Sequence, residues 1–596
     1  MWRGEGARPG GRLPAPGPQS WPARAEVLVV GAGIIGAAVA ARLAAAGLDV
    51  CLLDRTGPAA GTSSAGEGNV LVSDKVPGPE LALALRGVEL WHQLAGEAGE
   101  AGEGLEFEAK GGLLVAHDER ELEALSSFAE SQRQLGVHVE IVTGDALHEL
   151  EPALTESLSG GAFYDQDCQV QPMLAVDFLV RQFGARGGRL VRGAEVVGAE
   201  HDRQGAICSV RTTVGTVAVG TCVVNAAGPW AGEVARRLGT AIPVEPRRGH
   251  VLVTEPEPLF VRHKVCEAGY VGTVHDDGTA LACSAVVEAT RSGTLLLGSS
   301  REFVGFSREL DQSVIRTIAA RAIALFPDLA RARLMRAYVG FRPTTPDRLP
   351  IIGADRGIGG LYHATGHEGA GIGLALVTAE IVEALVAGQT PPMDLSPFAP
   401  ERFATAPPTS AISPPPLQAP GEAPGPGTAT LPATAATPPA HLFMTSRRSM
   451  TSGAVERRLL PALQSWRHRS PSAAPPRPPL LHFRFDGRQL AAPRGSSIAG
   501  ALLSNGERAW RTTRTGGQRR GLFCGIGTCF DCLVDLNGDN AVRACLAPLQ
   551  EGDEVHSSAS VGLGGLFAGP IGPAGPEPGG WRPEPAAGGT GPCEHG

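Results

Sequence analysis

The chain has 596 residues, room for two to four domains, and 52 Lys plus Arg against 61 Asp plus Glu give a net charge of −9. That balance disfavours nucleic acid or an anionic membrane as the main partner, since both select a basic face. Eleven Cys are too sparse for a disulfide scaffold, while 80 Gly and 49 Pro imply unstructured segments beside the folded ones.

Residues 1–24 are rich in Arg, Pro and Gly, hold no apolar core of a secretory signal, and are expected to be disordered. Next, EVLVV (26–30) reads as a buried parallel strand. It leads into Gly31-Ala-Gly33-Ile-Ile-Gly36, a helical stretch over 37–46, a stop at Gly47, and a second strand (DVCLLD, 49–54) ending in Asp54. Gly31 allows the tight turn, Gly33 lets backbone approach a pyrophosphate, and Gly36 packs helix on strand. The helix N-terminus then offers amides to phosphate, and Asp54 can bond ribose hydroxyls. The motif by itself leaves FAD and NAD open. Apolar residues over 27–48 approach membrane-span length, but the spaced glycines, Arg42 and Asp49 disfavour a span. A soluble, cytoplasmic protein is expected.

From 25 to about 403 short apolar runs alternate with helical stretches, the pattern of an α/β domain. CVVNAAGPW (222–230) reads as a strand entering a small-residue turn. The segment 339–353 (VGFRPTTPDRLPIIG) reads as a polar, Pro-bounded loop followed by a strand. LYHATGHEGAGIGL (361–374) reads as a strand, a glycine-rich loop and a helix start. Residues 405–440 hold eleven Pro and the single charge of Glu422, so 404–479 is expected to be a linker. About 75 flexible residues would reach roughly 45–50 Å r.m.s..

A second compact unit is expected over 480–556. LHFRF (481–485), Asp486-Gly487 and the following RQL predict a β-hairpin, and residues 497–503 a short helix capped by Ser496 or Ser497. Asn537-Gly538 predicts another hairpin turn. Cys524, Cys529, Cys532 and Cys545 are spaced C-x4-C-x2-C-x12-C, and the first three match plant-type 2Fe–2S spacing. Soft thiolates suit iron and sulfide, and Gly525 and Gly527 let the loop wrap closely; zinc is the alternative. The tail, 557–596, is expected to be disordered.

In their order along 25–400, the glycine fingerprint, Thr62-Ser63-Ser64 and the three later segments resemble the D-amino-acid oxidase/glycine oxidase flavoprotein superfamily. GTSSAGEGNVLVSDK (61–75) looks most like the amino-acid dehydrogenase subunits of hydrogen cyanide synthase, D-hydroxyproline dehydrogenase and opine oxidase. The small unit, through RACLAP (543–548), resembles the ferredoxin-like subunits of the same complexes. The resemblance implies an α/β fold: a Rossmann-like FAD-binding domain (about 25–80, 170–240 and 336–400) interleaved with an antiparallel-sheet substrate domain (81–169 and 241–335). A small α+β β-grasp domain carrying a 2Fe–2S cluster follows.

It also implies roles. Gly31, Gly33, Gly36 and Asp54 hold the adenosine half of a noncovalent FAD, Ser63, Ser64 and Asn69 lie near the flavin, and the loop with Gly366, Gly369, Gly371 and Gly373 passes the pyrimidine edge. Arg342 matches an arginine that clamps a substrate carboxylate; its alternative is a structural ion pair. His367 and Tyr270 are the other candidates for substrate contact, although His367 also fits a hydrogen-bonded loop histidine, and His250 and Tyr270 also fit the core. Where glycine oxidases often carry a basic residue, Glu368 follows His367, and a carboxylate there could meet a cationic amine. The resemblance implies an FAD-dependent dehydrogenase that oxidises the Cα–N bond of a small amino or imino acid and passes electrons through the cluster to an acceptor, such as a second flavoprotein subunit. An oxygen-using glycine or sarcosine oxidase, and an electron-transfer or redox-sensing flavoprotein without an amine substrate, are the alternatives.

Overall fold

The computed structural model describes residues 22–98, 105–257, 260–274, 281–403, 479–512, 519–522 and 532–557. Nearly all of 1–24, 404–479 and 557–596, for which disorder or a linker is expected, lies outside the described residues, as do Cys524 and Cys529. The described residues fall into two compact units.

The larger unit is built on two sheets. In the first, β1 (Arg24–Val30) pairs in parallel with β2 (Val50–Asp54) on one side and with the Gly215–Asn225 strand on the other. Arg189–Arg192 extends the sheet beyond β2, and Leu361–Thr365 extends it beyond Gly215–Asn225. Every side chain of the central run Val27, Leu28 and Val29 is fully buried, as a strand covered on both faces requires. Helix α1 (Ile34–Ala45) crosses between β1 and β2. Its small side chains Ala37, Ala38, Ala40 and Ala41 are all buried, which permits close packing against sheet and neighbouring helices.

The second sheet has eight strands, in the order Leu334–Thr344, Glu245–Thr254, Leu295–Arg301, Ala282–Ala289, Lys264–Glu267, Gly112–Ala116, Gly160–Tyr164 and Glu140–Val142. It is antiparallel except where Lys264–Glu267 runs parallel to Gly112–Ala116. One sequence expectation is corrected here. Residues 339–344, read as loop, form the end of the Leu334–Thr344 strand, which pairs with Glu245–Thr254 from Glu245↔Thr344 to Thr254↔Leu334. Pro343 is tolerated because this strand is the sheet edge, where a missing N–H breaks no ladder. Arg342 therefore stands on a strand, opposite Arg247.

The smaller unit is a five-stranded sheet, ordered Arg488–Pro493, Leu480–Phe485, Glu554–Ser557, Leu533–Leu536 and Asp539–Arg543, with helix Ile498–Ser504. Both hairpin turns form where expected. Asp486 and Gly487 have φ of 45° and 78°, and Asn537 and Gly538 have 51° and 91°, the double left-handed geometry of a tight hairpin. Ser497 caps the helix by accepting from the Gly500 amide. No described helix is long and apolar enough to cross a membrane.

Gly36 is the tightest point of the larger unit: a Cβ there would lie 1.8 Å from the Gly31 carbonyl oxygen. Gly36→Ala should lower its unfolding free energy by about 2–3 kcal/mol. Gly96→Ala, on the exposed face of the Pro79–Glu97 helix with nothing near its Cβ, should raise it by about 0.5–1 kcal/mol. Urea titrations of the two variants check both signs.

Candidate active site

A cavity of about 260 Å³ runs from the C-terminal ends of β1 and β2 to the face of the second sheet. At one end the turn after β1 supplies Gly31, Gly33, Ile34 and Ile35, with Asp54 from the end of β2. Gly31 sits at φ 106°, and a Cβ on it would lie 2.5 Å from the Ala226 carbonyl oxygen. Gly33 is the N-cap of α1, and no side chain caps that helix end through it. Ser63 Oγ accepts from the Ile34 amide at 2.9 Å and is within 3.2 Å of a Cβ added to Gly33. Asp54 ties the turn together: Oδ2 accepts from the Ala32 amide at 2.9 Å and Oδ1 from the Thr56 and Gly57 amides at 2.7 and 2.8 Å. Oδ2 keeps acceptor capacity facing the cavity. A glycine turn with no room for side chains, open helix amides and a carboxylate at the second strand end fit an adenosine diphosphate moiety.

The other end is polar and charged. Arg342, Tyr270, His367, Glu368, Gly369 and Gly371 all line it. Arg342 Nη1 donates to the Ser300 carbonyl oxygen at 2.9 Å, and the residue lines the cavity. Burial and the Arg301 charge hold the Arg342 guanidinium below the usual arginine range. Glu368 Oε1 pairs with Arg247 Nη1 at 3.4 Å and Arg301 Nε at 3.9 Å. Although burial opposes ionisation, Arg301, Arg342 and Arg247 hold its carboxyl below the usual range. The cation expected to meet Glu368 thus comes from the chain itself. Three guanidiniums around one carboxylate leave positive charge for an anionic ligand.

His367 is buried, and its Nε2 is 2.9 Å from Thr378 Oγ1. Burial pushes its pKa down to about 3, so the ring is neutral at physiological pH. Tyr270 is buried, with Arg301 4.7 Å and Lys264 5.4 Å from its ring centre. His250, by contrast, is a core residue: Nδ1 meets Ser300 Oγ at 3.0 Å and Nε2 accepts from the Asp311 amide at 3.2 Å.

Besides His250, four of the residues singled out from sequence do not line the cavity. Gly36 packs on Gly31, Ser64 donates to the Gly61 carbonyl oxygen, Gly366 turns the chain at φ 78° against Thr345, and Gly373 lies against Val70. The wall also holds residues the sequence reading did not single out, among them Glu67, Trp230 and Arg308. Glu67 and Trp230 lie inside segments 61–75 and 222–230, but nothing local separates them from their neighbours there, and Arg308 lies in no motif; each meets the site only through long-range packing.

In the smaller unit Cys532 and Cys545 are both buried, and the Ala544 amide donates to the Cys532 carbonyl oxygen at 3.2 Å, which brings the two cysteine positions together. Two neighbouring buried cysteines, with Cys524 and Cys529 outside the described residues, suit a sulfur-ligated cluster. Elsewhere burial pushes the thiols of Cys51, Cys168, Cys222 and Cys266 up to about 12, which makes them inert.

Two family models match the chain: FAD dependent oxidoreductase over residues 26–385, and 2Fe-2S iron-sulfur cluster binding domain over 479–560. Among curated relatives, hydrogen cyanide synthase subunit HcnC of Pseudomonas protegens is 27% identical over 420 residues, covering 64% of this chain and 97% of the relative. Glycine oxidase of Geobacillus kaustophilus is 31% identical over 382 residues, covering 63% and 96%. The crystal structure of that glycine oxidase superposes with a TM-score of 0.58 at 28% identity, covering 64% of this chain and 99% of that one. The fold expected from sequence, an FAD-binding α/β domain with a separate 2Fe–2S domain, is therefore the fold observed.

The buried neutral His367 has a stability consequence. Its ordinary pKa is 6.5 and its folded value about 3. The stability it contributes is complete above pH 6.5 and is lost as pH falls toward 3, because only the unfolded chain binds that proton. His367→Gln should flatten the fall in urea midpoint between pH 6.5 and 4; equal slopes in variant and wild type would refute this.

Proposed function

The chain belongs to the FAD dependent oxidoreductase family, with a 2Fe–2S binding domain on the same polypeptide, and on that premise we propose that it is an amino-acid dehydrogenase. It oxidises the Cα–N bond of a small amino or imino acid and sends the electrons through the cluster to a separate acceptor. The observation that carries the substrate class is the excess of guanidinium charge at one end of the cavity, with Arg342 aimed inward.

Bound FAD supplies the two-electron acceptor that takes the substrate's Cα hydrogen as hydride. The chain's own residues do the rest. Arg342 binds the substrate carboxylate through its free edge, and Arg247 and Arg301, neutralised in part by Glu368, keep that site electropositive. Tyr270 closes the wall beside the substrate. His367, neutral and fixed by Thr378, shapes the loop without moving a proton. Gly369 and Gly371 leave that loop's backbone bare where a bound flavin would pass, and Asn69 and Ser63, which line the same cavity, would border it. Asp54, Gly31 and Gly33 hold the adenosine diphosphate half. Holding the reacting carbon in line is the main contribution asked of the protein.

Cys524, Cys529, Cys532 and Cys545 are the proposed cluster ligands, within a module placed at 480–556; residues 25–403 perform the oxidation. A cluster that accepts single electrons favours an acceptor other than oxygen, such as a second flavoprotein subunit. That one relative is named as a subunit supports this reading. A second reading, an oxidase, is favoured by the glycine oxidase relative.

The test is anaerobic mixing of the holoenzyme with a panel of glycine, D-, L- and N-substituted amino acids while flavin absorbance is recorded. At least one should bleach the flavin, and Arg342→Ala should weaken its apparent Kd by roughly 100-fold. Stoichiometric peroxide at full turnover in air would select the oxidase reading. Absence of bleaching by every compound would contradict the amino-acid class.

A further inference from the structure

We propose that Glu67 receives the substrate's ammonium group and takes a proton from it, and that Glu288, held beside Lys110, passes that proton toward solvent. The proposal rests on the amine-oxidation reading above. An amine can release a hydride from Cα only with its nitrogen lone pair free, so the ammonium form must first lose a proton. In that step an N–H bond breaks, an O–H bond forms on Glu67, and no electrons are transferred. The freed lone pair later becomes part of the C=N bond.

The placement of Glu67 is specific. It lines the same cavity as Arg342 and Tyr270. Its Oε2 accepts from Asn69 Nδ2 at 3.0 Å. Its Oε1 is shielded from solvent and has no hydrogen-bond partner among the described residues. That oxygen lies over the Leu295–Arg301 strand at Gly298, where an added Cβ would come within 2.2 Å of it. An orphaned carboxylate oxygen costs a few kcal/mol in desolvation unless something supplies a donor. Two residues further along the same strand, the Ser300 carbonyl oxygen accepts from Arg342. Arg342 and Glu67 thus line one cavity beside the same strand, and the Glu67 charge acts on the Arg342 guanidinium. A zwitterionic amino acid between them turns its carboxylate to Arg342 and its ammonium to Glu67.

A path leads onward. Gly298 pairs with Val286 on the neighbouring strand, and Glu288 stands two residues beyond Val286, on the same face. Glu288 is fully buried, and neither of its oxygens has a hydrogen-bond partner among the described residues. Acceptors without donors, gathered on one face, are satisfied by a proton held among them. Lys110 Nζ lies 3.5 Å from Glu288 and 3.7 Å from Glu108, whose side chain is 30% exposed. Burial raises the Glu288 carboxyl to about 7 against the pull of Lys110 and Lys264, so it can gain and lose a proton near neutrality. The charged and titratable groups facing this pair are Arg342, Tyr338 and Cys266 around Glu67, and Lys110, Lys264 and Glu108 around Glu288.

The test uses the full-length holoenzyme and the variants Glu67→Gln, Glu67→Asp and Glu288→Gln. Flavin content and thermal midpoint are checked first. Anaerobic flavin reduction is then measured from pH 6 to 10, and propanoate binding, by its perturbation of the flavin spectrum, reads the carboxylate contact alone. E67Q should slow limiting reduction about 100-fold at pH 7, recover most of that loss by pH 10, and bind propanoate at least as tightly as wild type. E67D should recover part of the rate. E288Q should keep both binding constants and lose the transition near pH 7 from the profile of the limiting rate. An E67Q variant reduced like wild type at every pH, or one whose propanoate binding weakens in parallel with amino-acid binding, would overturn the proposal. So would an unchanged E288Q profile. A wild type that no amino acid reduces overturns the function reading itself, and this inference with it.

Discussion

A Cβ on Gly36 would sit 1.8 Å from the Gly31 carbonyl oxygen, and this absence of room governs the FAD-binding half. It fixes α1 against the end of β1, so the first amides of that helix open toward one place. Everything around that place is then tied to it. Asp54 bonds the Ala32 amide from the end of β2, Ser63 bonds the Ile34 amide from the following loop, and Gly31 leaves no space between itself and Ala226, just past the end of the neighbouring strand. The turn is made by removing side chains, then bracing the bare backbone with two polar groups, an arrangement that fits a diphosphate.

The proposed substrate end follows the opposite rule. There charge is put into the interior rather than kept out of it. Arg247, Arg301 and Glu368 are all buried, and each is costly to bury alone. Together they offset one another incompletely, with positive charge in excess beside Arg342. The second sheet makes this possible by carrying Arg247, Arg301 and Arg342 on three adjacent strands, while Glu368 arrives from the loop after Leu361–Thr365. Glu368 adopts a left-handed φ of 47°, an uncommon conformation for a side-chain-bearing residue, and the Pro343 carbonyl oxygen accepts its amide at 2.9 Å.

What was legible in the sequence was local. The βαβ fingerprint over 26–54, the Asp486-Gly487 and Asn537-Gly538 turns and the Ser497 cap each depend on a few consecutive residues, and each formed as read. The cavity end with Arg342, Tyr270 and His367 was partly legible, because Arg342 and His367 sit in motifs with recognisable order, whereas Tyr270 sits in none. What was not legible is what topology assembles. Pro343 and Pro346 made 339–350 look like loop, but edge position admits Pro343 to a strand that ends at Thr344. The partners of Glu368, Arg247 and Arg301, lie far back in the chain, the first of them 121 residues away. Glu67 acquires meaning only when Gly298, far along the chain, is folded beneath it. No window of sequence contains both.

The central claim is that electrons taken from an amino acid travel through the flavin to a cluster on the same chain. The most direct measurement is rapid freeze-quench electron paramagnetic resonance of the anaerobic holoenzyme after mixing with an amino acid that bleaches its flavin. The account predicts a reduced 2Fe–2S signal that grows as flavin absorbance falls, and that is absent from Cys545→Ser protein whose flavin still bleaches. A cluster that stays oxidised while the flavin is fully reduced, yet accepts electrons from dithionite at the same potential, would contradict it.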